Sequence, residues 1–179
     1  GCFAFYSFTM SVNLVPLLAE TGIGMAQAAG VAGIMGLVGI GARIAVGVLL
    51  DRFPARIIGT ITMLMPAAGC ALLLAFEPGT LVLMAAVALF GAAIGAEIDV
   101  VTYLASRHFG MKSFASLMGA IIGVGALASS IGPVLVGRLH DVYKSYDPLL
   151  MIVMGLMAIG AVAVLTMKRP QYDWGNPAH

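Results

Sequence analysis

The amino-acid sequence predicts an all-α integral membrane protein with six spans, and three observations carry that prediction. Six apolar stretches, each about the length that crosses a hydrocarbon core, fill nearly all of the 179 residues. The composition is 61% hydrophobic and 9% charged, with a mean hydropathy of +1.05, which leaves too little polar surface to cover a domain in water. The runs are continuous, without the alternation of a membrane barrel strand, and backbone groups in hydrocarbon must pair within their own segment, so the spans are helices.

Span 1 covers Cys2–Ala19 and ends at Glu20. The chain opens Gly1-Cys-Phe-Ala-Phe, already apolar and without an initiator methionine, so it is expected to be a piece of a larger protein with spans upstream. Without a basic start and with further spans following closely, the first stretch is expected to be a membrane span and not a cleaved signal. Span 2, Met25–Leu50, carries Gly30, Gly33, Gly36 and Gly39 at every third position, which suits close helix crossings. It runs into a polar connector with Asp51, Arg52 and Arg56. Span 3, Ile57–Phe76, contains Pro66 and ends at Glu77; span 4, Leu81–Ser106, has Gly91 and Gly95 one turn apart and leads to Arg107 and Lys112. Span 5, Phe114–Val136, has Gly119, Gly123 and Pro133; span 6 is Leu149–Met167. Pro16, Pro66 and Pro133 each free a backbone carbonyl and bend their helices. Cys2 and Cys70 both fall inside apolar runs and read as reduced packing residues, not a bridge.

Basic residues give the orientation. Arg52, Arg56, Arg107, Lys112, Lys168 and Arg169 fall on one side, against only Arg138 and Lys144 on the side that also holds Glu20 and Glu77. The first side is expected to be cytoplasmic, so span 1 enters from the cytoplasm and the C-terminus returns there. The expected location is the plasma membrane, or the inner membrane of a bacterium. A net charge of +1 with no basic run outside the connectors gives no indication of nucleic-acid binding.

Span 2 ends Gly47-Val-Leu-Leu-Asp51, and span 5 ends Gly137-Arg-Leu-His-Asp141, the same glycine and aspartate spacing three spans later and on the opposite face. Two three-helix units with inverted topology are therefore expected, a common way of building a secondary transporter. Gly47 lets another helix come close near the membrane surface. Asp51 stands at a helix C-terminus, where the macrodipole disfavours an anion, and Arg52 and Arg56 are near enough in sequence to compensate it. Such a cluster either locks one conformation and releases another, or simply holds the cytoplasmic side by charge.

The run Gly47-Val-Leu-Leu-Asp51-Arg52-Phe-Pro-Ala-Arg56 resembles the loop between the second and third helices of the C-terminal half of major facilitator superfamily transporters. Gly132-Pro133-Val-Leu-Val-Gly137-Arg-Leu-His-Asp141 is similar to the family's eleventh helix. The resemblance implies that residues 1–179 are the C-terminal six-helix half of a twelve-helix carrier, with an N-terminal half as partner. Arg43-Ile-Ala-Val-Gly47 and Ser106-Arg107-His-Phe-Gly110 are similar to the monocarboxylate and oxalate–formate branch. That branch places an arginine at the position of Arg43 in substrate anion binding and proton coupling. The chain departs from the branch at Gly39, where monocarboxylate carriers have an aspartate, and in span 5, which lacks the lysine of oxalate-type carriers.

Three ionisable residues lie within spans, where charge is costly and usually functional: Arg43, Glu97 and Asp99. Arg43 is about 12 Å inward of Asp51, and Asp99 is at a similar depth below Arg107 with Glu97 about 3 Å deeper. Arg43 presents a planar fork to a carboxylate, which is either a substrate's or that of Glu97 or Asp99. Either acid could take the proton-titrating role or serve as a structural ion-pair partner. Asn13 and Ser129 offer hydrogen bonds to a substrate or to a neighbouring helix.

No cofactor or metal is implied: His108, His140 and His179 lie in connectors or the tail, away from either cysteine. An intramembrane serine protease would need a histidine at membrane depth beside a buried serine, and none is placed there. The expected function is secondary active transport of a small organic carboxylate by alternating access with proton or anion coupling. The alternatives are carriage of a neutral or drug-like solute, or a channel or structural membrane subunit.

Overall fold

A computed structural model describes residues 2–20, 24–76 and 79–166, without the side chains of residues 25 and 107–113. Every element among these residues is helical: α1 is Cys2–Glu20, α2 Met25–Arg52, α3 Ala55–Ala75, α4 Thr80–Tyr143 and α5 Asp147–Leu165. Six segments are long and apolar enough to cross a membrane, because α4 supplies two of them, Thr80–Ser106 and Phe114–Tyr143. The connector expected between spans 4 and 5 is helical backbone instead. The side chains of Arg107, His108 and Lys112 lie outside the described residues, as do Glu77, Lys168, Arg169 and His179.

α4 nevertheless doubles back. The Tyr6 hydroxyl donates to the Phe90 carbonyl at 3.1 Å, and the Ser129 hydroxyl donates to the Ala4 carbonyl at 3.3 Å. A straight helix would hold Phe90 and Ser129 about 58 Å apart, so both can meet neighbouring residues of α1 only if the two limbs of α4 lie side by side. The remaining contacts fix an up-down order. Gly59 of α3 lies against Val100 and Leu104 while Gly69 lies against Phe90, so α3 opposes the first limb. Gly59 also meets Val164, and Gly160 meets Met63, so α5 opposes α3.

The core is built where α1, α3, the first limb of α4 and α5 meet. Tyr6, Met10, Leu14, Leu18, Leu83, Phe90 and Met157 are fully buried there, and Phe3, Tyr6 and Phe90 form edge-on or tilted ring pairs. A smaller cluster of Val46, Leu50, Ala55, Ile58, Ala96 and Val100 closes the end where α2 meets α3. α2 and the second limb of α4 are the least covered spans. They occupy matching places in the two three-helix units: α2 packs on the first limb of α4 through Gly39, Gly91 and Gly95, and the second limb packs on α1 through Gly125 and Gly132.

Candidate functional site

The seam between α2 and the first limb of α4 is what places the charged residues. Gly39 faces the backbone of Gly91 and Gly95, while a Cβ added at Gly91 or Gly95 would collide with the carbonyl of Met35 or Gly39. With no side chains in between, the two helices run in the same direction in close register. One turn further along both, that register sets Arg43 opposite Asp99. Nε of Arg43 lies 3.3 Å from Oδ2 of Asp99, and Nη2 lies 3.5 Å from Oδ1. Arg43 is 58% exposed and Asp99 29%, so the pair sits on the rim of the seam and not within it.

Glu97 points elsewhere. Helical residues two positions apart are separated by about 200° around the axis, so Asp99 turns to α2 while Glu97 turns to α1, where its Oε2 accepts a hydrogen bond from the Ser7 hydroxyl. The two acids therefore hold different partners in adjoining layers: Asp99 a cation, Glu97 a neutral donor. The choice of partner for Arg43, open in the sequence, falls to Asp99. Ser7 was not among the expected site residues. One hydroxyl in an apolar helix carries no signal until the helix opposite it is known.

Asn13 and Ser129 both use a proton on a backbone carbonyl. Asn13 Nδ2 donates to Thr9 one turn back at 2.9 Å, and Ser129 ties α4 to α1 through Ala4. At the loop motif, Asp51 and Arg52 are exposed and Arg56 is half-buried. Among the described residues, none of the three forms an ion pair; the expected compensation of Asp51 by Arg52 and Arg56 is not made, because Phe53 and Pro54 turn the chain away into α3. Gly47 likewise faces open space, with no described atom of another helix within 4 Å of where its Cβ would stand.

At the other end of the molecule His140, next to the repeated Asp141, is engaged. His140 Nε2 lies 2.6 Å from Glu20 Oε1, and the Tyr146 ring is 5.0 Å from the imidazole. Burial first, and then the Glu20 carboxylate, push the Tyr146 phenol above its ordinary value, keeping it protonated as pH rises. A pocket of about 250 Å³ opens beside the pair, with Leu17, Leu73 and Leu150 as its apolar wall and Ser145, Tyr146 and Asp147 as its polar one. The sequence placed Glu20 and His140 on one membrane face but did not pair them. Among the described residues, no three of His, Cys, Asp and Glu come together as a metal site would require.

A family model described as Major Facilitator Superfamily matches residues 1–133. No curated protein matches the chain significantly.

Proposed function

This chain belongs to the Major Facilitator Superfamily, and from that membership we propose that it is the C-terminal half of a carrier that moves a small organic carboxylate. The family is one of membrane transporters and not of enzymes. The observation that carries the substrate class is Arg43, a permanent cation well inside a span and more than half exposed. Hydrocarbon would not tolerate it there, so the face of α2 that bears it adjoins a polar cavity or further protein. A second six-helix unit answers that need. It would also cover Gly30, Gly33 and Gly36 of α2 and Gly119 and Gly123 of α4, all of which face open space in this chain.

The rim position of the Arg43–Asp99 pair suits exchange. With the site empty, Asp99 compensates the guanidinium. A substrate carboxylate entering from the open side can take over one edge of the fork, and Asp99 keeps the other or is released to bind a proton. Glu97, beside Ser7 in the next layer, is proposed as a second proton-titrating group. Coupling to a proton or to a counter-anion follows from which acid is relieved of its charge. The competing reading is that Arg43–Asp99 is a structural pair and the solute is neutral; it is favoured by the same contact, since Arg43 is already compensated. Uptake of a labelled monocarboxylate by the full-length protein in proteoliposomes decides between them. Arg43→Gln should reduce uptake by at least tenfold at normal expression, whereas anion uptake unaffected by the substitution would leave Arg43 a structural residue.

A further inference from the structure

We propose that Glu20 and His140 form a pH-released latch that ties α1 to the second limb of α4 at the face opposite the Asp51 connector. The proposal is independent of the carboxylate reading, since it concerns helix ends about 20 Å or more from Arg43 along α2. Three features of the corner support it. The pair joins two different elements through one contact of 2.6 Å, and both partners are more than a third exposed, so protons reach them freely. α4 stops immediately beyond His140, where Lys144 takes a left-handed conformation and its N–H returns to the His140 carbonyl at 2.9 Å. The histidine is thereby fixed at a helix terminus, where a cation is favoured by the dipole.

The corner also holds the means of release. Histidine side chains change charge between about pH 5 and 8. A protonated His140 donates to an ionised Glu20 with full charge assistance. A neutral one retains a hydrogen bond of ordinary strength at most. The other titratable or charged groups of this corner, among the described residues, are Arg138, Asp141, Tyr143 and Lys144 on the same helix, Tyr146 in the connector and Asp147 at the start of α5. Of these, Tyr146 lies tilted against the imidazole and keeps its proton throughout the histidine range, so it does not titrate against the latch. Release would part α1 from α4 beside the existing pocket and widen it toward Leu17 and Leu150. The repeated aspartates, Asp51 and Asp141, make no ion pair among the described residues, so the tie at this corner is made by His140 alone, whose counterpart in the first copy is Leu50.

Spin labels on Ala19→Cys and Val142→Cys, in the full-length protein with Cys2→Ser and Cys70→Ala in nanodiscs, report the separation of the two helix ends without any substrate. Dipolar broadening should be present at pH 5.5 and lost by pH 8. His140→Gln should show the unbroadened spectrum at both pH values, and His140→Arg, a permanent cation, should keep the broadening at pH 8. A separation that does not change with pH, or a pH step that persists in His140→Gln, would overturn the latch. Neither result bears on whether the protein transports an anion.

Discussion

Arg43, Glu97 and Asp99 could be picked out from the sequence because charge inside an apolar run is expensive, and that cost is visible in one dimension. Which acid Arg43 holds was not visible. Glu97 and Asp99 are at nearly the same depth, and only the rotation of the α4 helix about its axis separates their partners. The arrangement makes a distinguishable prediction for each acid. Glu97→Gln retains an acceptor for Ser7 but cannot ionise, so uptake should lose most of its pH dependence while the apparent affinity for substrate changes by less than about threefold. Asp99→Asn removes the charge that compensates Arg43, so the affinity for an anion should change while Glu97 still supplies most of the pH dependence. Initial uptake rates measured between pH 5 and 8 check both; a large affinity change in Glu97→Gln with an unaltered pH profile would exchange the two roles. Ser7, and the pairing of Glu20 with His140, could not be read in sequence because each depends on a residue more than eighty positions away.

Helix boundaries were readable at the element scale wherever charge or proline interrupts hydrophobicity, as at Arg52–Pro54 and at Ser145–Asp147. Between Ser106 and Phe114 the sequence predicts a connector from its polar residues, but those residues are compatible with helical backbone, and the turns of α4 continue through them. Glycine spacing was only partly informative for the same reason. Gly39, Gly91 and Gly95 make the close seam, whereas Gly30, Gly33 and Gly36 have the same spacing and meet nothing in this chain. The seam gives a sharp test. Gly95→Val would drive a branched side chain into the Gly39 carbonyl, forcing α2 outward and pulling Arg43 away from Asp99. The cost should be at least about 1–3 kcal/mol of overpacking, read as lower thermal stability in detergent together with impaired uptake. Gly155→Val, on α5 and facing open space away from the face assigned to the second unit, should leave the seam intact. Equal loss of stability in the two variants would contradict the assigned register.

At the scale of the whole chain, the described spans form two three-helix units of opposite sense, and each repeat-related pair makes the same kind of contact: α2 on the first limb of α4, where Gly39 meets Gly91 and Gly95, and the second limb on α1, where Gly125 meets Ala4 and Gly132 meets Thr9. Such symmetry places the Asp51 connector and the His140 corner on opposite faces. The excess of basic residues on the Asp51 side makes that face the cytoplasmic one under our proposal. Arg52→Cys should accordingly react with an impermeant maleimide only from the cytoplasm, and Lys144→Cys only from outside. If Asp51 holds a conformation, adding Asp51→Asn should change the labelling rate at position 52 without altering its sidedness. Reversed sidedness would invert the orientation. Unchanged rates would reduce Asp51, Arg52 and Arg56 to a topology signal. The central claim, an alternating-access carrier for an organic anion, is tested most directly by counterflow. Proteoliposomes containing the full-length protein and preloaded with an unlabelled monocarboxylate should accumulate the labelled anion transiently and saturably above its external concentration, and Arg43→Gln should abolish the overshoot. Flux that rises linearly with concentration and shows no overshoot would contradict the account and indicate a pore.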